Sequence, residues 1–472
     1  MPSRKQLGDV LVLGIGATGR DVVRYLTGPA AARVESVTVY GGAQSRAGVA
    51  TCELESEGAR CVLGTDDVEG RFDLAVVSPG IPRRSAFFAA ALAHADEVIG
   101  EPELAWRESP ARWVAVTGTN GKTTTTTLAQ LMLDEGLAGA LAVGNIGTPV
   151  IERVADRGAD TWFVAELSSF QLETTRLFHP RVACLLNVTP DHLEWHGSME
   201  AYAAAKEKIF ANLGGGDLAV VSADDPWCRA ARDRLMARGV RTLTLDARAD
   251  PGSPLAAFVR DGRLVVRLEA LEAELLGVDE MGIKGVHNVE DALAASCVAL
   301  ELGVDAAVVN GVLRSFCSLR HRIEPCGTVA GVRFVNDSKA TNPDAVAKAL
   351  TAFDEGRVVL LLGGHDKGLD LGPLSRVVVA RCKAAVCFGV AGERMARALE
   401  GARDARGRHG GLEVVRASHL RDAFRAAVSR STEGDVVLLS PACSSFDEFQ
   451  NMEERGDVFR DLVRSLAADR GL

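Results

Sequence analysis

Gly118-Thr119-Asn120-Gly121-Lys122-Thr123 sets glycine, lysine and hydroxyl in order between the apolar run WVAVT (113–117) and the helical spacing of TTTLAQLML (125–133). Glycines let the backbone approach phosphate oxygens, and a helix N-terminus supplies free N–H groups and a favourable dipole. Lys122 would counter the β/γ-phosphate charge, and the Thr123 hydroxyl is placed to bind Mg²⁺. The loop is shorter than GxxxxGK[ST], because Val116 stands where the first glycine of that pattern would be. A chance glycine-rich turn is the bland alternative, and the strand–loop–helix order outweighs it. A nucleotide site alone names no reaction. Kinase, GTPase switch, motor and ligase all stay open.

Three further patterns invite chemistry. Glu166 follows the strand-like TWFVA, where an acid would reach a metal held at the phosphate loop; an ordinary helix-start glutamate is the competing reading. His192 and His196 in HLEWH are four apart, but the zinc-hydrolase pattern needs Glu after the first His, and Leu193 stands there. Pro190 and Gly197 bracket that segment and favour a loop, leaving His196 structural or exposed. GIGATG (14–19) after a strand superficially fits a dinucleotide fold, yet VTVYGG (37–42) ends without the acid that would hold a ribose. An NAD-linked oxidoreductase is therefore disfavoured.

The elements that must carry these residues are strands followed by glycines: DVLVLGIGATG, WVAVTGTNGKT and RVVLLLGGHDKG, the first two running on into helices. Continuous apolar strands alternating with helices predict parallel sheets covered on both faces, an α/β class throughout. A length of 472 residues suggests about three domains. Gly100–Pro102 and Ser318–Arg322 mark the breaks, giving domains 1–100, 101–318 and 319–472. The stretch from Ala247 to Leu276 alternates about DGR and reads as a small antiparallel hairpin. A net charge of −10 argues against a nucleic-acid partner or an anionic membrane surface. The ten cysteines are scattered without a CxxC pair and read as reduced thiols. No stretch approaches the ~18 apolar residues of a membrane helix, and the N-terminal apolar run is broken at once by glycines, so a cytoplasmic protein without membrane insertion is expected.

Taken in order, GTNGKTT, GNIG (144–147), ELSSFQLE (166–173), NVTPDHLEWH (187–196), YAAAKEKIF (202–210), GVHN (285–288), HRIE (321–324), NDSKATNP (336–343) and SPACSSFDEFQNMEERG (440–456) resemble the Mur ligase superfamily. The resemblance implies a Rossmann-like N-terminal domain, a central P-loop ATPase-like domain with a mostly parallel sheet, and a Rossmann-like C-terminal domain. It also implies amide formation driven by ATP through an acyl phosphate, with two Mg²⁺ ions.

By that resemblance Gly118 to Thr124 hold the triphosphate, with Lys122 catalytic. Thr123 and Glu166 hold one metal, and His192 and Lys206 belong to the second, Lys206 as its carbamate. Asn288 and Asp291 would lie against adenine, although Asp291 replaces the amide common in the family. Arg322 would reach the phosphates, and Asp337 would steady the nucleotide-side loop. Lys339 and Thr341 would lie near the acceptor and the transferring phosphoryl group, with Lys367 on an acceptor carboxylate. The donor, UDP-N-acetylmuramoyl-L-alanine, would be met by Ala17, Thr18, Ser78, Pro79 and Gly80 at its nucleotide and by Asn145 nearer the sugar. SPACSSFDEF is the form of the D-glutamate-adding members, with Ser445 on the acceptor side chain and Met452 as an apolar wall. A folate-polyglutamylating type or another Mur step is the alternative, and a P-loop switch a remoter one. A monomer is expected.

Overall fold

The computed structural model describes residues 6–317, 319–406 and 411–470. Ser318, at the expected second boundary, lies outside the described residues, as do 1–5. The chain forms two compact units: Met1–Val188 with Leu193–Val278 and Glu290–Val312, and Thr189–His192 with Asp279–Val289 and Leu313–Leu472.

The first unit holds two sheets. Gly8–Leu13 lies central in a five-stranded, all-parallel sheet, flanked by Val34–Tyr40 and Leu74–Val77, with Arg60–Val62 and Val98–Gly100 outermost. The second sheet has nine strands, and Trp113–Thr117 lies between Trp162–Glu166 and Val182–Leu185, all parallel. These strands are buried on both faces because helices cover each side, which explains why they read as unbroken apolar runs rather than alternation.

The expected hairpin after residue 247 is instead a three-stranded meander. Ala256–Arg260, Arg263–Leu268 and Leu271–Gly277 pair antiparallel in sequence, and the first also extends the parallel sheet through Arg241–Asp246. Asp261 and Gly262, both at positive φ, make the first turn, the primed geometry that matches strand twist. Glu269 and Ala270 make the second, with no glycine to announce it.

Helix Glu101–Glu108 joins the two sheets and is stapled by carboxylates rather than by apolar packing alone. Glu103 accepts from the amides of Arg176, Leu177 and Phe178; Glu101 accepts from Ile151 N at 2.7 Å; Glu108 accepts from the Tyr25 hydroxyl at 2.6 Å. All three glutamates are buried, so every oxygen left bare there would cost about 1–3 kcal/mol.

The second unit is built on a six-stranded sheet in the order Glu324–Val329, Val332–Asn336, Val436–Leu439, Val358–Gly363, Cys382–Phe388, Glu413–Arg416. Only the first pair is antiparallel. Apolar clusters fill both faces, one about Val346, Leu360 and Val378, the other about Phe334, Phe424 and Phe459. All ten cysteines are free. Among the described residues no helix is long and apolar enough to cross a membrane.

Candidate active site

In the first unit the phosphate loop leaves the C-terminal end of Trp113–Thr117 and turns into helix Lys122–Gly136. Gly121 has φ 84°, in the left-handed region. A Cβ there would also stand far inside contact distance of Asp291 Oδ1, so glycine is required twice over. Asp291 is buried and accepts from Thr125 Oγ1 at 3.2 Å, which places its carboxylate against the phosphate-loop helix.

The Lys122 ammonium curls over the loop and donates to the carbonyls of Gly118 (3.0 Å) and Thr119 (2.8 Å). Asn187 clamps the loop from outside: its Oδ1 accepts from Asn120 N at 2.8 Å and its Nδ2 donates to Asn120 O at 3.1 Å. Thr123 gives its carbonyl to Thr127 Oγ1, and Thr124 is buried beside it.

Lys206 comes to the same loop from helix Met199–Glu207. Its side chain is buried, with Nζ 2.7 Å from Gly118 O and 4.6 Å from the Tyr202 ring centroid. The Tyr202 hydroxyl lies 3.1 Å from Thr119 Oγ1. His196, buried, packs on Tyr202 and stacks on Phe170, with Nε2 2.9 Å from Ser169 Oγ and Nδ1 3.5 Å from Glu173. It is a structural residue, as one of its two expected readings has it. The segment Leu193–His196 forms a single helical turn where a loop was expected, and His192 stays outside that turn with φ 53°.

Glu166 ends its strand in register with Val116, one residue before the loop strand ends. Its Oε1 accepts from Asn145 Nδ2 at 2.9 Å, while Oε2 is buried with no hydrogen-bond partner. A buried bare carboxylate oxygen beside a phosphate loop suits a hard cation, which takes oxygen ligands and shares them with phosphate. Among the described residues no group of three or more His, Cys, Asp and Glu gathers into an all-protein metal cage.

In the five-stranded sheet Ala17 and Thr18 open helix Ala17–Thr27, and Ser78-Pro79-Gly80 follow the neighbouring strand. Ser78 Oγ is buried and unpartnered, and a Cβ on Gly14 would come within 2.7 Å of it. Gly14 thus serves close approach between two strand ends, and a Cβ on Gly19 would collide with the Gly14 carbonyl, while Gly16 has open space around it. Tyr40 ends Val34–Tyr40 where a ribose-binding acid would be needed for NAD.

The second unit gathers the other candidates. Asp337 is buried between Ser440 Oγ (2.7 Å) and Ile323 N (3.3 Å), and burial pushes its carboxyl up to about 7 against the pull of these bonds and of Arg322. Lys339 donates its amide to His321 O, and Thr341 donates its own to Lys339 O. Lys367 Nζ lies 3.1 Å from Asp191 Oδ1, and His192 Nε2 lies 3.6 Å from Asp191 Oδ2. Despite burial, Lys367 and His192 hold the Asp191 carboxyl below the usual range. Ser445 is buried, and Met452 opens helix Met452–Asp469. Asn288 donates to Lys284 O and lines a cavity of about 340 Å³ with Gly282, Ile323, Thr328 and Phe353.

Asn187, Tyr202, Asp191 and Arg455 were not singled out in sequence. Asn187 carries a readable signal, a lone amide directly after the buried run VACLL; the others carry none, since each depends on a tertiary neighbour.

The arrangement is that of an enzyme working on a nucleoside triphosphate with α/β sheets on which loops at strand ends carry the chemistry. The family described as Mur ligase middle domain matches residues 116–299, and Mur ligase, glutamate ligase domain matches residues 321–443. The chain belongs to the Mur ligase family. It is 40% identical over 460 residues to the UDP-N-acetylmuramoylalanine–D-glutamate ligase of Pelotomaculum thermopropionicum, covering 97% of each chain. The protein of that description from Koribacter versatilis is 42% identical over 395 residues, 84% of each chain. Among solved structures, a pseudomurein peptide ligase type C from Methanothermus fervidus aligns with TM-score 0.57 at 16% identity, covering 97% of this chain and 99% of that one. MurF from Acinetobacter baumannii aligns with TM-score 0.59 at 18% identity, covering 84% and 91%. These two likenesses establish the shared fold.

Proposed function

We propose that the chain joins D-glutamate to UDP-N-acetylmuramoyl-L-alanine at the cost of ATP, giving ADP and phosphate, in the cytoplasm and as a monomer. The observation that carries this reading is full-length similarity to ligases of that description, together with a phosphate loop whose lysine and glycines are held ready.

A carboxylate is a poor electrophile, so it must first take the γ-phosphoryl group; the amine then displaces phosphate through a tetrahedral intermediate. Phosphoryl transfer of this kind rests on positioning and on cations at the equatorial oxygens. Lys122 exchanges its two loop carbonyls for phosphate oxygens when the nucleotide enters. Thr123 and the bare Oε2 of Glu166 would hold one Mg²⁺; carbamylated Lys206 would offer oxygens to the second ion, and His192 is a further metal candidate. Bound Mg²⁺ supplies charge neutralisation on the transferring group. Asn288, Asp291, Arg322 and Asp337 serve the nucleotide, with Asp291 acting on the phosphate-loop side. Ala17, Thr18, Ser78, Pro79, Gly80 and Asn145 serve the donor. Lys339, Thr341, Lys367, Ser445 and Met452 serve the acceptor and the phosphoryl group. The proposed domains are 1–100, 101–318 and 319–472, with Asn145 of the second reaching the donor and Arg322 and Asp337 of the third reaching the nucleotide.

The test is phosphate release with D- and L-glutamate side by side, using donor labelled with ¹⁸O in its carboxyl group. Release should require donor and D-glutamate together, and the label should appear in the phosphate. Vigorous hydrolysis of ATP without amino acid, or unlabelled phosphate, would overturn the reading.

A further inference from the structure

Among the described residues of the second unit Arg455 is the most deeply buried cation: it is fully buried, and none of its hydrogen bonds goes to a carboxylate. Its guanidinium instead donates to oxygens of two loops. Nε reaches Ser338 Oγ (2.9 Å) and Nη2 reaches Ser338 O (2.9 Å), while Nη1 is shared between Cys443 O (3.0 Å) and Ser444 O (3.2 Å). A third loop closes on the same group, since a Cβ on Gly364 would stand 3.0 Å from Arg455 Nη1, and His365 N donates to Ser444 O at 2.9 Å. Ser338 passes the contact onward by donating its hydroxyl to Met452 O at 2.7 Å, at the start of the helix that carries Arg455.

Burying a guanidinium without a carboxylate bonded to it is costly, and burial draws this one down to about 10 against the pull of the Asp447 and Glu448 charges. A planar five-donor fork suits such a junction where a lysine would not, because it bonds several fixed carbonyls at once. Each segment it gathers bears at least one residue assigned above to the acceptor: Ser338 precedes Lys339 and Thr341, Ser444 precedes Ser445, Gly364 and His365 precede Lys367, and Met452 lies one turn before Arg455.

We propose that Arg455 is the positioning residue of the amino-acid pocket: it fixes the mutual placement of Lys339, Thr341, Lys367, Ser445 and Met452, and so sets affinity and stereochemical preference for the acceptor without touching it. The inference rests on the acceptor assignment under the proposed function.

The experiment is steady-state kinetics of Arg455→Lys and Ser338→Ala, with each substrate varied in turn and thermal melting followed in parallel. Arg455→Lys keeps the charge and loses the fork. Its KM for D-glutamate should rise roughly tenfold or more while the KM values for ATP and donor stay within about twofold, and the D-to-L preference should fall. Ser338→Ala, which removes one acceptor and the link to Met452, should shift the same parameter by a smaller factor at near wild-type melting temperature. Should Arg455→Lys not fold, the Ser338→Ala kinetics decide alone. Equal changes in all three KM values, a loss of kcat alone, or an unchanged D-glutamate KM in a folded variant would each overturn the inference. Failure of the wild-type protein to use D-glutamate at all would instead overturn the functional reading beneath it.

Discussion

Gly121 shows how little freedom the phosphate loop has. A methyl group at this position meets two separate penalties, a left-handed φ of 84° and overlap with Asp291 Oδ1. Gly121→Ala should lose about 1–3 kcal/mol from the backbone alone, and more from the overlap. Pairing it with Asp291→Ala should recover the overlap share and leave the backbone share, because only the first depends on the neighbour. Urea titration of the two single variants and the double variant checks this; strict additivity would exclude the contact as a cause. Lys206 poses the chemical counterpart. An ammonium beside Gly118 O cannot ligate a cation, whereas its carbamate can. Lys206→Ala should abolish turnover, and short-chain carboxylic acids should restore part of it by lending oxygens to the vacated space. Rescue by chloride at equal ionic strength would count against the carbamate.

At the scale of elements, helix Glu101–Glu108 is held by hydrogen bonds to three buried carboxyl groups. Glu101 is the extreme case, with burial raising its carboxyl from 4.5 to about 7 despite the bonds from Ile151 and Val150. Between those values the folded chain keeps a proton that the unfolded chain has released. The favourable contribution is therefore complete below about pH 4.5 and fades as pH rises through 7, by up to about 3 kcal/mol. Asp337, raised from 3.8 to about 7, adds a slope of the same sign. Glu101→Gln keeps an acceptor for Ile151 N and removes the titration. The variant should match the wild type near pH 5 and exceed it near pH 8 in urea midpoint. Identical pH slopes in the two proteins would show that Glu101 stays ionised in the fold.

These elements also mark how far sequence reading reaches. The strand–loop–helix of the phosphate site was legible because three independent local signals coincide at WVAVTGTNGKT: an apolar run, glycines and helical spacing. The third strand of the meander was not, because Glu269 and Ala270 turn the chain without glycine, proline or asparagine. Arg455 sits in EERG among other charges on a helix, a pattern that reads as a solvated face. Only the meeting of Ser338, Cys443 and Ser444 around it, residues more than 100 positions apart at the extreme, reveals a buried junction. Local chemistry is written locally; a positioning cation is written in the tertiary fold. His196 teaches the same point, since nothing in HLEWH distinguishes an imidazole enclosed by Ser169, Phe170 and Tyr202 from an exposed one.

For the whole molecule, the two compact units have separate cores, and on the proposed assignment the phosphate loop lies in one and the acceptor residues in the other, with Asn288, Arg322 and Asp337 of the second unit also serving the nucleotide. Lys122, Glu166 and Lys206 belong to the first unit, while Lys339, Thr341, Lys367 and Ser445 belong to the second. Multi-unit chains seldom unfold in one step, so calorimetry should resolve two transitions or one visibly broadened one. A ligand that binds only the native form stabilises by RT ln(1 + [L]/Kd), about 2.7 kcal/mol at a hundredfold excess over Kd. Magnesium-ATP should therefore raise the transition of the unit bearing the phosphate loop, and Lys122→Ala should erase that rise. D-glutamate should act on the other transition, and its effect should survive Lys122→Ala but weaken in Arg455→Lys. Variants assign the two transitions independently of the ligands: Glu101→Gln, tested at pH 8, moves only the one that ATP moves. If both ligands shifted a single transition equally in every variant, nucleotide and amino acid would share one cooperative unit, and the division of labour between Lys122 and Ser445 would have to be abandoned.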